Sequence, residues 1–491
     1  MTAAPTPHNH QEDTRDPDEL RLECGVFGVF GAADASVLVT LGLHALQHRG
    51  QEACGIASFD GHFHNERRHG LVGDNFTNAD LAKHLPGTAA IGHTRYSTAG
   101  GAGVRNLQPM FADLSCGGFA VAHNGNLTNY MTLRKQLVED GAIFQSTSDS
   151  EVILQLVARS REARVVDRFV DALKQIIGGY ALVAMTNKKL IGARDPLGIR
   201  PLVMGELEGA TIFASESCAL DIIGAKFIRD LEPGEVVVVD TEGVRSLKPF
   251  PDARLRPCIF EYVYFARPDS IVNGKSVYEA RKQMGHQLAR EFPADVDVIV
   301  PVPDSGVPAA LGYAQEAQIP YELGIIRNHY VGRTFIQPTQ NVRQLGVRLK
   351  HSANRSVLAG KRVVLVDDSV VRGTTSVKIV RMVREAGAKE VHLRIACPPI
   401  THPDFYGIDM PDREKLLAAT QSLEEMTKTL EVDSLGFLSV EGLYHALGSG
   451  PRNAEAPQYT DHYFTGDYPT ALPDQELLGI DKTHISYLVD A

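Results

Sequence analysis

The sequence lacks the cysteine pairs, long apolar runs and basic surplus that mark several protein classes. Its six cysteines are scattered without a CxxC pair, which argues against a disulfide framework or a zinc ribbon. No apolar run approaches the roughly 18 residues that a membrane-spanning helix needs. Gln11–Arg21 is polar and acidic, unlike a secretory signal. With a net charge of -11, we expect a cytoplasmic protein with no nucleic-acid or membrane partner.

The length of the chain and the changing pattern of apolar and charged residues along it indicate several domains. A chain of 491 residues predicts two to four domains. Residues 1–21 are charged and show no apolar period, which predicts a disordered tail. Strand-like runs with few helices predict an α+β domain that ends near residue 250. From residue 251 to 410, apolar strands lead into small-residue loops and helices, the pattern of a doubly wound parallel sheet. Residues 411–491 predict a helical extension, including a helical stretch over Asp412–Leu430.

The strongest motif is Val363–Thr375, which reads VVLVDDSVVRGTT. A buried strand ends in Asp367 and Asp368, and a small-residue loop then opens a helix at about residue 375. Ligands of parallel sheets bind at this edge, where the helix N-terminus favours a phosphate. The two carboxylates are placed to hold ribose hydroxyls or a metal ion. The other candidate phosphate contacts are Ser369, Arg372, Gly373, Thr374 and Thr375. The alternative is a helix N-cap with two solvated aspartates.

This run of residues resembles the signature of type I phosphoribosyltransferases. A second strand and loop, Val300–Ala309, supports the resemblance, because its turn would wrap a diphosphate through Asp304, Ser305 and Gly306. The resemblance implies one Mg²⁺ per subunit, bound by Ser305, Asp367 and Asp368, which neutralises the leaving diphosphate. The polar segment Arg327–Asn354 would cover the substrate and exclude water. Within it, Arg333 and Lys350 are either phosphate contacts or solvated surface charges.

Cys24 lies where the charged tail meets the first buried strand, and a cysteine at such a place is by default a core residue. Four short runs further along change this interpretation. With Cys24 and the glycine that follows it, they resemble the class II glutamine amidotransferases, whose N-terminal-nucleophile fold is a sandwich of two β-sheets between helices. The runs are His48–Gly50 (HRG), His93–Thr98 (HTRYST), His123–Asn126 (HNGN) and Ser148–Glu151 (SDSE).

This resemblance implies a role for each residue. Cys24 would attack the glutamine amide with its own α-amino group as the base, so residues 1–23 would be a propeptide that is removed. Asn124 and Gly125 would form the oxyanion hole, in which each donor is worth about 3–4 kcal/mol. Arg95 would pair with the α-carboxylate of glutamine, and Asp149 with its α-ammonium. Two further candidates at the glutamine site are Thr98 and Arg49.

A class II glutaminase (residues 24–250) followed by a type I phosphoribosyltransferase (residues 251–410) resembles the amidophosphoribosyltransferase family. The likeness extends to Phe260–Ser270, Arg327–Ile336, Phe405–Asp409 and Phe437–Leu443. It implies the first committed step of purine synthesis. Glutamine, phosphoribosyl diphosphate and water would give 5-phosphoribosylamine, glutamate and diphosphate, with ammonia channelled between two sites. It also implies a homodimer or homotetramer that purine nucleotides inhibit.

One departure concerns the [4Fe–4S] cluster that some members with a propeptide carry on four cysteines. Only Cys258 falls on one of the four ligand positions in this sequence. The second position is Asp404, and Ala454–Gly466 contains no cysteine. Because one thiolate cannot hold a cluster that takes four, we predict no iron–sulfur cluster and a packing role for Cys258.

Three other functions are compatible with parts of the sequence. Another class II amidotransferase, such as glucosamine-6-phosphate or asparagine synthase, would not need Val363–Thr375. A purine-sensing regulator that only binds phosphoribosyl diphosphate would need a DNA-binding element and would not need the residues from Cys24 to Asp149. An inactive paralogue would have lost catalytic positions, which are all occupied here.

Overall fold

The structure is a computed structural model that describes residues 24–76, 81–96, 103–328, 351–410 and 412–475. The predicted propeptide (residues 1–23) and three predicted site residues, Thr98, Arg333 and Lys350, lie outside these ranges. None of the helices in the described ranges combines the length and apolarity that a bilayer crossing requires.

The described residues of the first half form thirteen strands in two antiparallel sheets. In chain order they are β1 Gly25–Phe30, β2 Ala53–Phe59, β3 Phe63–His69, β4 Ala89–Arg95, β5 Met110–Leu114, β6 Gly117–Leu127, β7 Gly178–Thr186, β8 Leu190–Arg194, β9 Val203–Leu207, β10 Ala210–Ala214, β11 Lys226–Asp230, β12 Val236–Asp240 and β13 Gly243–Leu247. One sheet has the order β11-β9-β10-β1-β4-β2-β3, and the other has the order β13-β12-β8-β7-β6-β5.

The two sheets face each other, and helices cover their outer faces. The helices are α1 Ala35–Ala45, α2 Val72–Asn75, α3 Leu81–His84, α4 Tyr130–Glu139, α5 Ser150–Arg159, α6 Val165–Leu173 and α7 Cys218–Asp221, with a 3₁₀ turn at Val104–Asn106. Val26, Ile91 and Val183 belong to the apolar layer between the sheets. Separate apolar layers lie beneath α1 and beneath α5 and α6. This arrangement confirms the predicted sandwich of two sheets between helices.

The second half is built on a parallel sheet of four strands. They are β16 Val298–Pro301, β19 Arg362–Asp367, β20 Glu390–Ile395 and β21 Ser434–Phe437, and this is also their order in the sheet. Two short hairpins accompany them, formed by β14 Ile271–Val272 with β15 Lys275–Ser276 and by β17 Ile325–Arg327 with β18 His351–Ala353. The first three of these strands were predicted. β21 (SLGF) was missed because, unlike the equally short β16 (VIVP), it is not a continuous apolar run.

Helices flank this sheet and form the C-terminal part of the described chain. They are α8 Val277–Glu291, α9 Val307–Ala317, α10 Arg355–Leu358, α11 Thr374–Glu385, α12 Leu417–Thr420, α13 Leu423–Thr429, α14 Val440–Ala446 and α15 His462–Thr465, with a π-helix at Glu261–Phe265 and a 3₁₀ turn at Arg413–Lys415. The helical stretch predicted over Asp412–Leu430 is therefore interrupted. Leu416 and Gln421 have extended backbones, and Ser422 starts α13 anew with a capping box.

Two glycines bring α8 close to α9, which starts at the end of the loop that follows β16. A Cβ on Gly285 would lie 1.9 Å from the carbonyl oxygen of Ala309, and one on Gly312 would lie 2.0 Å from that of Lys282. Only glycine permits so close an approach of the two backbones. Helix α8 is thereby held beside the carboxyl edge of the sheet, where Asp367 and Asp368 lie.

Candidate active sites

Cys24 lies immediately before β1, and its side chain is only 6% exposed. The thiol donates a hydrogen bond to the carbonyl of Tyr96 (3.5 Å), which is its one polar partner among the described residues. Burial raises the pKa of Cys24 to about 11, against the opposing effects of that hydrogen bond and of the Arg95 charge. The thiol is therefore protonated at neutral pH. It needs a base to become a nucleophile, and no described histidine contacts it.

Asn124 and Gly125 lie toward the C-terminal end of β6, paired with β7. The Asn124 side chain is fully buried, and neither its Oδ1 nor its Nδ2 has a hydrogen-bond partner in the described chain. An unsatisfied buried amide costs about 1–3 kcal/mol, so a substrate oxygen would stabilise it. Gly125 has φ +136°, and a Cβ there would lie 2.0 Å from the carbonyl oxygen of Gly179. Both features suit an oxyanion hole.

Asp149 is a buried carboxylate at the N-terminus of α5. Its Oδ2 accepts a hydrogen bond from Leu127 N (3.1 Å) and lies 3.6 Å from Nδ1 of His123. Burial acts to raise the pKa of Asp149, but the His123 charge and these hydrogen bonds outweigh it and hold the pKa below its usual value. An ionised, partly enclosed carboxylate of this kind can bind the α-ammonium group of an amino acid.

The two predicted arginines are placed differently. Arg95 ends β4, is almost fully buried, and lies within electrostatic range of both Cys24 and Asp149. Arg49 pairs with two carboxylates instead: its Nε contacts Glu216, and its Nη2 lies 2.5 Å from Glu261 of the second half. Arg95 can therefore reach a substrate at the thiol, whereas Arg49 braces the boundary between the halves.

The second site is a cavity of about 350 Å³ at the carboxyl edge of the parallel sheet. The loop after β16 and the loop after β19 both line it. The predicted residues that face the cavity are Asp304, Ser305, Asp367, Asp368, Ser369, Gly373 and Thr375. Gly306, Arg372 and Thr374 are neighbours of these residues in the chain but do not line the cavity. The structure therefore brings most of the two predicted motifs to one place.

The acidic pair is held by local hydrogen bonds. Asp367 Oδ1 accepts from the backbone N of Asp368 (3.0 Å), and Asp368 Oδ2 accepts from Ser369 Oγ (2.5 Å). Burial, and then the neighbouring charge of Asp368, raise the pKa of Asp367 well above its usual range. A cation would relieve this repulsion. Together with Ser305 Oγ, the pair forms an oxygen-only donor set of the kind Mg²⁺ prefers, so these residues fit that ion.

The cavity residues that were not predicted from the sequence include His48 and Arg281. His48 is the one lining residue, among those described, that belongs to the first half, and its Nε2 lies 2.6 Å from Oε1 of Glu216. Arg281 lines the cavity from α8. A sequence signal for Arg281 exists, because it falls on the same buried stripe of α8 as Val277, Met284 and Leu288. An arginine on an apolar stripe is unusual enough to mark a built site.

The residues at the iron–sulfur ligand positions do not fit a four-cysteine cluster. Cys258 Sγ lies 3.2 Å from the hydroxyl of Tyr463. Asp404 accepts hydrogen bonds from the backbone N of Tyr406 (2.9 Å) and Ile408 (2.6 Å), and it lies 3.0 Å from Nε2 of His462. Across the described ranges, no group of three or more His, Cys, Asp or Glu residues is placed to hold a metal. A hydrogen-bonded thiol and a buried, hydrogen-bonded carboxylate therefore occupy these two positions.

The fold and the two sites define a class of protein, a glutamine amidotransferase joined to a phosphoribosyltransferase. Family models for a glutamine amidotransferase domain and a phosphoribosyl transferase domain match residues 93–221 and 269–404. An amidophosphoribosyltransferase from Rhizobium etli is 62% identical over 94% of this chain and 95% of its own length. One from Bacillus subtilis is 47% identical over 94% of this chain and 96% of its own length. The chain belongs to the amidophosphoribosyltransferase family.

A solved structure agrees with this assignment. The glutamine phosphoribosylpyrophosphate amidotransferase of B. subtilis, in complex with ADP and GMP, is 46% identical and superposes with a TM-score of 0.86. The superposition covers 91% of this chain and 98% of that chain. The likeness thus spans both halves and their relative placement.

Proposed function

We propose that this chain makes 5-phosphoribosylamine, glutamate and diphosphate from glutamine, phosphoribosyl diphosphate and water, the first committed step of purine synthesis. The observation that carries the proposal is the presence of both sites in one chain. A buried thiol with an unsatisfied amide lies in the first half, and an acidic cavity beside a helix N-terminus lies in the second. A glutaminase needs only the first site and a phosphoribosyltransferase needs only the second. The proposed reaction uses both.

In the first half, Arg95 and Asp149 would orient glutamine by its α-carboxylate and α-ammonium groups. The thiol of Cys24 would attack the side-chain amide, with Asn124 and Gly125 stabilising the oxyanion. Ammonia leaves, and water then releases glutamate from the thioester.

In the second half, the loop after β19 would hold the 5-phosphate and the acidic pair would hold the ribose hydroxyls. When bound by Ser305, Asp367 and Asp368, Mg²⁺ would neutralise charge on the departing diphosphate. Ammonia would then displace the diphosphate at the anomeric carbon. Arg327 begins the segment predicted to cover the substrate (Arg327–Asn354) and pairs with His351 near its other end. Both residues line the cavity, which supports that prediction.

Contacts between the halves support transfer of ammonia within one molecule. Asn126, next to the proposed oxyanion hole, donates a hydrogen bond to the carbonyl of Phe405 (2.9 Å). A Cβ on Gly407 would lie 3.0 Å from the backbone of Gly125. His48 reaches the phosphoribosyl cavity from the other side of the boundary. The domain limits of residues 24–250, 251–410 and 411–491 remain part of this proposal.

Regulation, assembly and location are also proposed rather than observed. The relative bound to ADP and GMP supports inhibition by purine nucleotides, and we propose a homodimer or homotetramer as in the family. A cytoplasmic location fits the bacterial relatives, whereas a relative from Glycine max is named chloroplastic.

The reaction can be tested by measuring diphosphate release from phosphoribosyl diphosphate and Mg²⁺, with glutamine or ammonia as the nitrogen source. We expect release with either source, and one glutamate per diphosphate when glutamine is used. Glutamate formation without diphosphate release would favour another class II amidotransferase. Binding of phosphoribosyl diphosphate without turnover of either substrate would favour a regulator or an inactive paralogue.

The mature chain is expected to begin at Cys24. The thiol has no base among its described contacts, and a free α-amino group on the same residue would supply one. N-terminal sequencing and intact mass of active protein measure this directly. A chain that keeps residues 1–23 and still hydrolyses glutamine would contradict the free-amine mechanism.

Purified protein is expected to contain no stoichiometric iron or acid-labile sulfide. The ligand positions hold one thiol, and Asp404 is already engaged by two backbone N–H groups and His462. Elemental analysis and sulfide determination after anaerobic purification provide the measurement. Four iron atoms per chain would show that the cluster uses ligands other than those considered.

A further inference from the structure

The cavity contains a buried positive charge that belongs to neither phosphoribosyl motif. Arg281, in α8, is 4% exposed and lines the cavity beside the acidic pair. It makes no ion pair with a described carboxylate. Its Nε donates to the carbonyl of Tyr262 (2.9 Å), and its Nη2 donates to that of Ala266 (2.8 Å). Both partners are neutral, so the charge of the guanidinium lacks a direct counter-ion.

The orientation of this side chain is fixed by the same two hydrogen bonds. They hold two of the three guanidinium nitrogens on the π-helix Glu261–Phe265 and on Ala266, which follows it. The third nitrogen, Nη1, has no hydrogen-bond partner among the described residues, and it is not fully enclosed by protein atoms. Because Arg281 lines the cavity, Nη1 is the guanidinium nitrogen left for a ligand there. An arginine held in this way loses little side-chain freedom when it binds a ligand.

A buried charge without a partner is unfavourable unless something compensates it. Burial acts to lower the pKa of Arg281, and the charge of Asp368 opposes this most strongly. Buried charges in proteins are normally paired or bound to ligands of opposite sign. Arginine is the side chain best suited to phosphate, since its planar guanidinium matches two phosphate oxygens.

We propose that Arg281 is a substrate-binding residue whose counter-ion is a phosphate group of phosphoribosyl diphosphate. This inference rests on the proposed function, because it assumes that this substrate occupies the cavity. The guanidinium of Arg281 would bind the substrate together with the two motif loops, as a cation held in place by α8. Helix α8 is itself anchored by the glycine contacts with α9, so the cation is positioned before the substrate arrives.

The test compares Arg281→Gln with Arg281→Lys, using ammonia as the nitrogen source so that the glutamine site is not involved. Gln removes the charge, whereas Lys keeps it and loses part of the hydrogen bonding. We expect the KM for phosphoribosyl diphosphate to rise about 10- to 100-fold in Arg281→Gln and about 10-fold or less in Arg281→Lys. The KM for ammonia should change little.

A purely structural role of Arg281 makes a different prediction. If the arginine only braces Tyr262 and Ala266, both variants should lose thermal stability and activity in parallel, without a selective rise in that KM. Arg394→Gln is the matched control. Arg394 is also buried and donates to the carbonyls of Phe292 (3.0 Å) and Leu393 (3.1 Å), but it does not line the cavity. It should lower stability and leave the KM unchanged.

Direct binding separates the failure of this inference from failure of the proposed function. Calorimetric titration of the unaltered protein with phosphoribosyl diphosphate and Mg²⁺ should show binding; no binding there would overturn the proposed function. If the unaltered protein binds and Arg281→Gln binds equally well, the role of Arg281 alone is overturned. Weaker binding by Arg281→Gln, with Arg394→Gln unaffected, supports it.

Discussion

Replacement of Cys24 by alanine is expected to abolish glutamine-dependent formation of phosphoribosylamine and to spare the ammonia-dependent reaction. The thiol is the nucleophile in the proposed glutaminase, and without it no thioester can form. Loss of such a nucleophile lowers kcat by about 10³-fold or more. Ammonia bypasses this step, because it enters the second site as the finished nucleophile. Parallel assays with glutamine and with ammonium salts at high pH measure the two activities separately.

Cys54→Ala is a matched control for this experiment. Cys54 is also a buried thiol of the first half, on β2, and burial raises its pKa to about 12. It belongs to the core layer beneath α1, so its removal should affect stability and neither activity. Equal loss of both activities in Cys24→Ala would show that the residue supports the fold rather than the chemistry. Full glutamine activity in the variant would exclude it as the nucleophile.

Much of this architecture could be predicted because it follows from local pattern. Strands β1, β6, β7 and β19 each contain a run of several apolar residues, so their place in a core is visible in the sequence. Polar strands such as β3 (Phe63–His69, FHNERRH) were missed, since most of their residues are exposed at the edge of a sheet. Strand β3 is recognisable only from its antiparallel pairing with β2.

The parts of the sites that could not be predicted depend on contacts between distant segments. Phe405–Asp409 contributed only to the resemblance, yet Phe405 and Gly407 pack against the strand that carries Asn124 and Gly125. Nothing local in either segment indicates this contact. Arg49 was expected at the glutamine site, but its two carboxylate partners, Glu216 and Glu261, lie far along the chain from it. Long-range ion pairs leave no periodic trace in a sequence.

Replacement of Asp367 or Asp368 by asparagine is expected to have the opposite effect from loss of Cys24. Product formation should fall about 100-fold or more with glutamine and with ammonia alike. Each carboxylate would bind a ribose hydroxyl or Mg²⁺, and a hydrogen bond to a charged group is worth about 1.5–3 kcal/mol before any contribution of the metal. Hydrolysis of glutamine without phosphoribosyl diphosphate should persist, since the thiol site lies in the other half.

Asp297→Asn provides the control, because Asp297 lies at the opposite edge of the same sheet, where the parallel strands begin. Asp297 lies at the amino end of β16 and accepts a hydrogen bond from the backbone N of Arg362 (2.8 Å), whose guanidinium lies 3.0 Å from its other oxygen. Ligands bind at the carboxyl ends of parallel strands, so this variant should lose stability and keep its KM for phosphoribosyl diphosphate. If Asp297→Asn impaired catalysis as much as Asp368→Asn, the effect would stem from the fold. If neither Asp367→Asn nor Asp368→Asn slowed the ammonia-dependent reaction, the phosphoribosyl site would lie outside this cavity.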